Sequence, residues 1–245
     1  MIIQTINNHQ YTSPNFERWR RDVRIGHSSK LKHRNDTCFF RDSEFWAKLN
    51  YYLVKKYINV PKVNVYSYGC SDGSEPFTFV MQMLSIHKES ANKFLPVIAK
   101  DYDLIAINKA RSKNYYFLDK YEKQDINYYT NNNFDRFFKL FENNYYYISD
   151  EIHNNVEFSV ANIFDDYKKI EPENSVVLAR NFWPYIERKK ERQDLLNNLA
   201  KHLGENSILV IGDYDIFGTG GEIQYQLIKA GFMRTENKYI CELRK

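Results

Sequence analysis

Apolar positions along this chain follow two periods in turn. From Ser43 to about Tyr57, Phe45, Leu49 and Leu53 recur at every fourth position with Trp46 alongside, which predicts an amphipathic helix with one core-facing stripe. Val63 to Tyr68 is rich in β-formers and reads as a strand. The tight loop Gly69 to Ser74 follows, and a helix runs from Glu75-Pro76 to about Ile86, with proline at an early helical position where its missing N–H costs nothing. A second strand, Pro96 to Lys100, ends in Asp101-Tyr102-Asp103 and leads to a helix over Leu104 to Arg111. The rhythm resumes with strands at Val156 to Ile163 and Ser175 to Ala179, the latter a continuous apolar run typical of a parallel strand buried on both faces. Glu187 to Leu203 reads as a helix stopped at Gly204, Ile208 to Ile211 as a strand, and Gly221 to Ala230 as a helix. The tail, 232–234 and 239–243 around Glu236-Asn237-Lys238, reads as a hairpin.

Strands alternating with helices predict an α/β fold: a doubly wound, mostly parallel seven-stranded sheet whose closing hairpin adds an antiparallel edge. Two stretches fall outside this rhythm. Residues 114–155 are aromatic and Asn-rich with short alternating pieces such as Tyr145 to Ile148, and they predict a small inserted antiparallel subdomain, too aromatic for a disordered linker. Residues 1–34 form a short basic N-terminal segment. There Ser13-Pro14 and Gly26 bound a possible helix over 14–25 carrying Arg18, Arg20, Arg21 and Arg24, followed by Lys30, Lys32, His33 and Arg34. The expected domains are therefore that segment and a single 35–245 domain with its insertion.

Composition narrows the chemistry. Apolar residues at 43% and charged residues at 27% are ordinary for a soluble globular protein, and the net charge of +4 neither demands nor excludes an acidic partner. Cys38, Cys70 and Cys241 are odd in number and far apart, which argues against a disulfide framework and fits a reducing, cytoplasmic compartment. The histidines lack metal-ligand spacing, so no metal is expected. No apolar run approaches a membrane span, and Met1 to Thr5 does not open a signal peptide.

Ligands of such sheets bind beyond the carboxyl ends of the strands, so the loop after the first strand is the place to look. It holds Gly69 and Gly73 but is neither G-x-G-x-x-G nor a phosphate-binding P-loop. Glu75 opens the next helix, where an acid occupies the end that would otherwise favour an anion; that suits a ligand bearing an ammonium group. Asp101, at the end of the second strand, can accept both hydroxyls of a ribose. Each acid alone also reads as an ordinary helix-start or turn residue.

In series the motifs are more specific. Asn35 and Thr37-Cys38-Phe39-Phe40-Arg41 come first, then Ser71-Asp72-Gly73-Ser74-Glu75-Pro76-Phe77. Asp101-Tyr102-Asp103 with Ala110-Arg111-Ser112, Val156-Glu157-Phe158 with Asn162, and Ala179-Arg180-Asn181 with Tyr185 follow at comparable spacing. Block by block, over roughly residues 33–245, this resembles the CheR family of chemotaxis receptor methyltransferases. The resemblance implies a class I S-adenosylmethionine-dependent fold and that cofactor, with S-adenosylhomocysteine as product. Asn35, Thr37 and Arg41 would approach it from the segment before the sheet, beside Gly69. Glu75 would take its amino group, Asp101 its ribose, and Asn162 with Ile163 its adenine. Arg180, Asn181 and Tyr185 would line the far side, with Arg41 and Tyr185 nearest the transferred methyl as the catalytic pair. Phe39 and Phe40 are read as core packing. The sequence departs from the family at Ser74, in the Phe182-Trp183-Pro184 stretch, at Gly212-Asp213-Tyr214-Asp215, and in an N-terminal domain reduced to about 34 residues.

The implied reaction is methyl-ester formation on glutamate side chains of a chemoreceptor or related signalling protein, an acidic helical partner, with the insertion corresponding to a subdomain that in some members docks a receptor tail. A carboxylate acceptor is ionised at neutral pH and needs no general base. Two alternatives stay open: a small molecule or another protein group as acceptor, and a non-catalytic sensor that binds the cofactor. Neither nucleic acid nor membrane insertion is expected, though recruitment to a membrane-bound receptor is compatible.

Overall fold

The computed structural model describes residues 37–112 and 115–243, all within one compact unit, Asn35–Lys245. The expected helix over 14–25 and Asn35 lie outside the described residues. Helix α1 (Ser43–Lys56) precedes strand β1 (Asn64–Tyr68), α2 (Ser74–Ile86) and α3 (Lys88–Phe94). Strand β2 (Val97–Asp101) and α4 (Leu104–Arg111) follow, then β3 (Tyr115–Phe117), α5 (Lys120–Tyr129), α6 (Phe134–Phe137), β4 (Phe138–Glu142), β5 (Tyr145–Ile148) and α7 (Asp150–His153). The chain then forms β6 (Val156–Val160), α8 (Ile163–Asp166), β7 (Ser175–Leu178), α9 (Lys189–His202) and β8 (Ile208–Val210). It closes with α10 (Asp213–Gly218), α11 (Glu222–Ala230), β9 (Phe232–Arg234) and β10 (Ile240–Leu243).

Seven strands make one sheet in the order β6-β2-β1-β7-β8-β10-β9. All neighbouring pairs are parallel except those of β10, which runs antiparallel to β8 and β9. The closing hairpin adds the expected antiparallel edge, with β10 lying between β8 and β9 and β9 outermost. Its placement buries β10, whose Ile240 and Cys241 lie on opposite faces of the sheet.

Alternation along the strands divides the core. Val65, Val97, Ala99, Val176 and Leu178 face one side with Phe39, Phe40, Trp46, Leu49 and Phe77. Tyr66, Tyr68, Val177, Leu209 and Ile211 face the other with Leu195, Leu196, Leu199 and Leu227 of α9 and α11. Such two-sided burial is why Ser175 to Leu178 reads as an unbroken apolar run. Strands β3, β5 and β4 form a separate three-stranded antiparallel sheet, and Tyr116, Phe138 and Ile148 from it join the first cluster.

One boundary and one element differ from the sequence pattern for clear local reasons. Strand β6 stops at Val160 rather than Ile163, because Asn162 turns its side chain to cap α8, accepting a hydrogen bond from the Phe164 N–H at 3.1 Å. Helix α5 arises inside the aromatic insertion, where Asp119 and Glu122 form a reciprocal capping box.

Candidate functional site

The sheet order reverses between β1 and β7, and Glu75 at the start of α2, Asp101 at the end of β2 and Arg180 just after β7 lie at the carboxyl ends of the strands there. The β1 loop is fixed from three sides. Gly69 takes φ +71° and Gly73 φ +92°, backbone that glycine adopts without cost. At Gly73 a Cβ would also lie 2.7 Å from Phe77 and 2.9 Å from Phe158. Asp72 accepts from the Ser74 N–H and from Lys109 at 2.9 Å, and Tyr116 donates to its carbonyl at 2.6 Å. Fixing that loop fixes the start of α2, and with it Glu75.

Glu75 is 13% exposed at the side chain. Its Oε1 accepts from the Ser67 hydroxyl at 3.0 Å and its Oε2 from Arg180 Nη1 at 3.1 Å. Burial pushes its carboxyl above the usual value, against the pull of Arg180, Ser67 and Arg41. Arg180 is only 2% exposed, with its guanidinium carbon 4.4 Å and 4.7 Å from the ring centres of Phe45 and Trp46. Its Nη2 donates to Asp42 at 2.9 Å, and its Nε is buried with no hydrogen-bond partner.

Asp101 is 6% exposed and accepts backbone N–H groups from Ser71 at 2.8 Å and Asp103 at 2.9 Å, so the β1 and β2 loops are tied together. The Ser71 hydroxyl beside it is buried without a partner. Cys70 lies close enough to feel both acids. Burial, then Asp101 and Glu75, hold its thiol well above the usual value, so it is protonated at neutral pH.

The β7 loop is anchored rather than open. Asn181 takes φ +61°; its N–H donates to Asp215 at 2.7 Å, and its side-chain oxygen accepts from the Tyr214 N–H at 3.2 Å. Asp215 also accepts from the Gly212 and Trp183 N–H groups, and burial pushes it up to about 7. Pro184 packs so closely on Gly218 that a Cβ there would fall 2.6 Å from its ring. Tyr185, next along, is 42% exposed with its ring 5.9 Å from Tyr214.

Glu75 and Arg180 thus pair directly, with Arg41 adding a weaker electrostatic pull on the acid, and Asp101 is tied to the Ser71 loop beside them. Asn162 lies beyond β6 as a helix cap, while Ile163 is buried in the second core cluster. Thr37 is half-buried where the described chain begins. Sequence reasoning missed Asp42 and Ser67. The first follows Arg41 directly, and the second is a buried serine inside strand β1.

An acid opening α2 and another closing β2 suit the ammonium and ribose of an adenosyl amino acid, and the unsatisfied Arg180 and Ser71 donors leave polar capacity beside them. Comparison with known proteins decides the family. Residues 35–231 match the model described as CheR methyltransferase, SAM binding domain. The chain belongs to the CheR methyltransferase family. It is a methyltransferase whose cofactor is S-adenosylmethionine. A chemotaxis protein methyltransferase of Borreliella burgdorferi is 26% identical over 203 residues, covering 78% of this chain and 68% of that one. Among solved structures, a TehB-like SAM-dependent methyltransferase from Corynebacterium glutamicum is 15% identical with a TM-score of 0.42, covering 94% of this chain and 95% of that one. The magnesium protoporphyrin IX methyltransferase of Synechocystis is 15% identical with a TM-score of 0.43, covering 94% and 89%. Among the described residues no group of three or more His, Cys, Asp or Glu could hold a metal ion, and no helix is long and apolar enough to cross a membrane.

Proposed function

We propose that this CheR-family protein forms methyl esters on glutamate side chains of a chemoreceptor or related signalling protein in the cytoplasm. The cofactor, when bound, supplies a methyl group on a sulfonium centre and leaves as the thioether. In this reading Glu75 holds its ammonium group and Asp101 its ribose, with Asn162 at the adenine side. Arg41 and Tyr185 orient the acceptor carboxylate.

One observation carries the choice of acceptor: among the described residues, the loops of the site bring no histidine and no ionised thiol to act as base. Among the described residues, His87 ends α2, His153 packs beside Phe77 and Phe158, and His202 bonds the Ile170 carbonyl at the end of α9. The Cys70 thiol is held protonated. A carboxylate, with a reference pKa of about 4.3, arrives as the nucleophile, whereas a lysine amine at about 10.4 needs help losing its proton. Positioning and exclusion of water then suffice. Two features support a protein partner: the basic segment 18–34, and the exposed Tyr115, Phe117, Phe141 and Tyr145 on the three-stranded sheet.

The test is to label the acceptor in a lysate with a tritiated methyl group and raise the pH to about 11, just above the amine reference value. An ester releases volatile methanol. Label that stays on the protein contradicts the ester and moves the assignment to an amine.

A further inference from the structure

Asp42 occupies the N-cap of α1, yet its carboxylate makes no bond to its own helix. It takes φ +59° and ψ +52°, left-handed backbone that non-glycine residues rarely adopt and that Asn and Asp tolerate best. From there it reaches Arg180, 138 residues away in sequence, at 2.9 Å. Arg180 is a single buried guanidinium divided between two carboxylates, Asp42 on Nη2 and Glu75 on Nη1.

Formal charges decide what that arrangement does. Arg180 and Glu75 alone sum to zero, a pair that leaves little negative field for an ammonium group. With Asp42 the three groups carry one net negative charge, and Arg180 is drawn partly away from Glu75.

We propose that Asp42 is a positioning residue that sets the charge of the ammonium site, holding Arg180 so that Glu75 stays available to the amino-acid end of the cofactor. The proposal rests on Glu75 as the ammonium partner. It separates two functions of one arginine: Arg180 orients Glu75, and Asp42 keeps that orientation from becoming neutralisation. The rings of Phe45 and Trp46 flank the guanidinium and limit its movement, so the balance rests on the charge at Asp42.

Asp42→Asn removes the charge and keeps both the shape and the tolerance for left-handed backbone; Asp42→Gly, free of backbone strain, is the second variant. Each is titrated calorimetrically with S-adenosylhomocysteine and with methylthioadenosine, which lacks the amino-acid end, beside the parent and Glu75→Gln. The expected result is a loss of about 10-fold in S-adenosylhomocysteine affinity with methylthioadenosine changed less than about twofold, the loss shrinking as salt rises. If both ligands weaken in the same ratio, Asp42 only maintains structure and the proposal is overturned. Unchanged affinity in both Asp42 variants while Glu75→Gln loses S-adenosylhomocysteine also overturns it, leaving Glu75 in place. If Glu75→Gln changes nothing, the ammonium reading falls and Asp42's role with it.

Discussion

Asp166 ends α8 with its carboxylate 6% exposed among three donors: Tyr68 at 2.8 Å, the buried Lys100, and Lys169 at 2.8 Å. Burial pulls its pKa up, but the hydrogen bonds from Lys100, Lys169 and Tyr68 outweigh that and hold it below the ordinary value. A carboxylate lowered on folding stabilises the fold above its unfolded pKa, about 3.9, and that stabilisation is lost as pH falls through the lower folded value. Asp166→Asn should therefore destabilise at pH 7 by about 3 kcal/mol, because Lys100 stays buried without its counter-charge. The difference from the parent should shrink below about pH 4, and urea unfolding at several pH values measures both. At this scale the sequence was informative where a residue's position in the loop pattern gave it away. Glu75 opens a helix and Asp101 closes a strand, so both were legible. Asp42 was not, because its partner Arg180 is joined to it only by the fold, and neither was the hydroxyl of Ser67. Asn181, expected to line the pocket, makes hydrogen bonds to Asp215 and Tyr214 that hold the loop after β7.

The turn from β1 into α2 shows how an element places chemistry. Gly73 combines a left-handed backbone with no room for a methyl group between Phe77 and Phe158. Gly73→Ala should cost about 2–4 kcal/mol from backbone strain and overpacking together, measured by urea unfolding. It should also weaken S-adenosylhomocysteine binding, since Glu75 is two residues on; undiminished affinity would mean that this turn does not position Glu75. Helices and strands with a clear period were legible: α1 falls where its apolar stripe predicts. Helix α5 was hidden because Ile126 is its one aliphatic residue and no apolar stripe forms, although Asp119 and Glu122 already spell its cap. The end of β6 was hidden for the opposite reason. Ile163 continues the apolar pattern, and only the capping side chain of Asn162 breaks the strand.

Across the molecule, the parallel order was legible because strands buried on both faces leave uninterrupted apolar runs, while the insertion of β10 between β8 and β9 depends on pairing that no local pattern encodes. The sheet reversal between β1 and β7 is what turns acids far apart in sequence into one site. The central claim is that Asp101 and its neighbours hold the adenosyl ligand at that reversal, and a calorimetric double cycle tests it most directly. The parent and Asp101→Ala are titrated with S-adenosylhomocysteine and with an analogue lacking the ribose hydroxyls, so that any loosening of the Ser71 loop cancels. The expected coupling is about 1.5–3 kcal/mol: removing the hydroxyls weakens the parent and leaves the variant nearly unchanged. Equal losses in parent and variant, or no binding by the parent, would contradict the account.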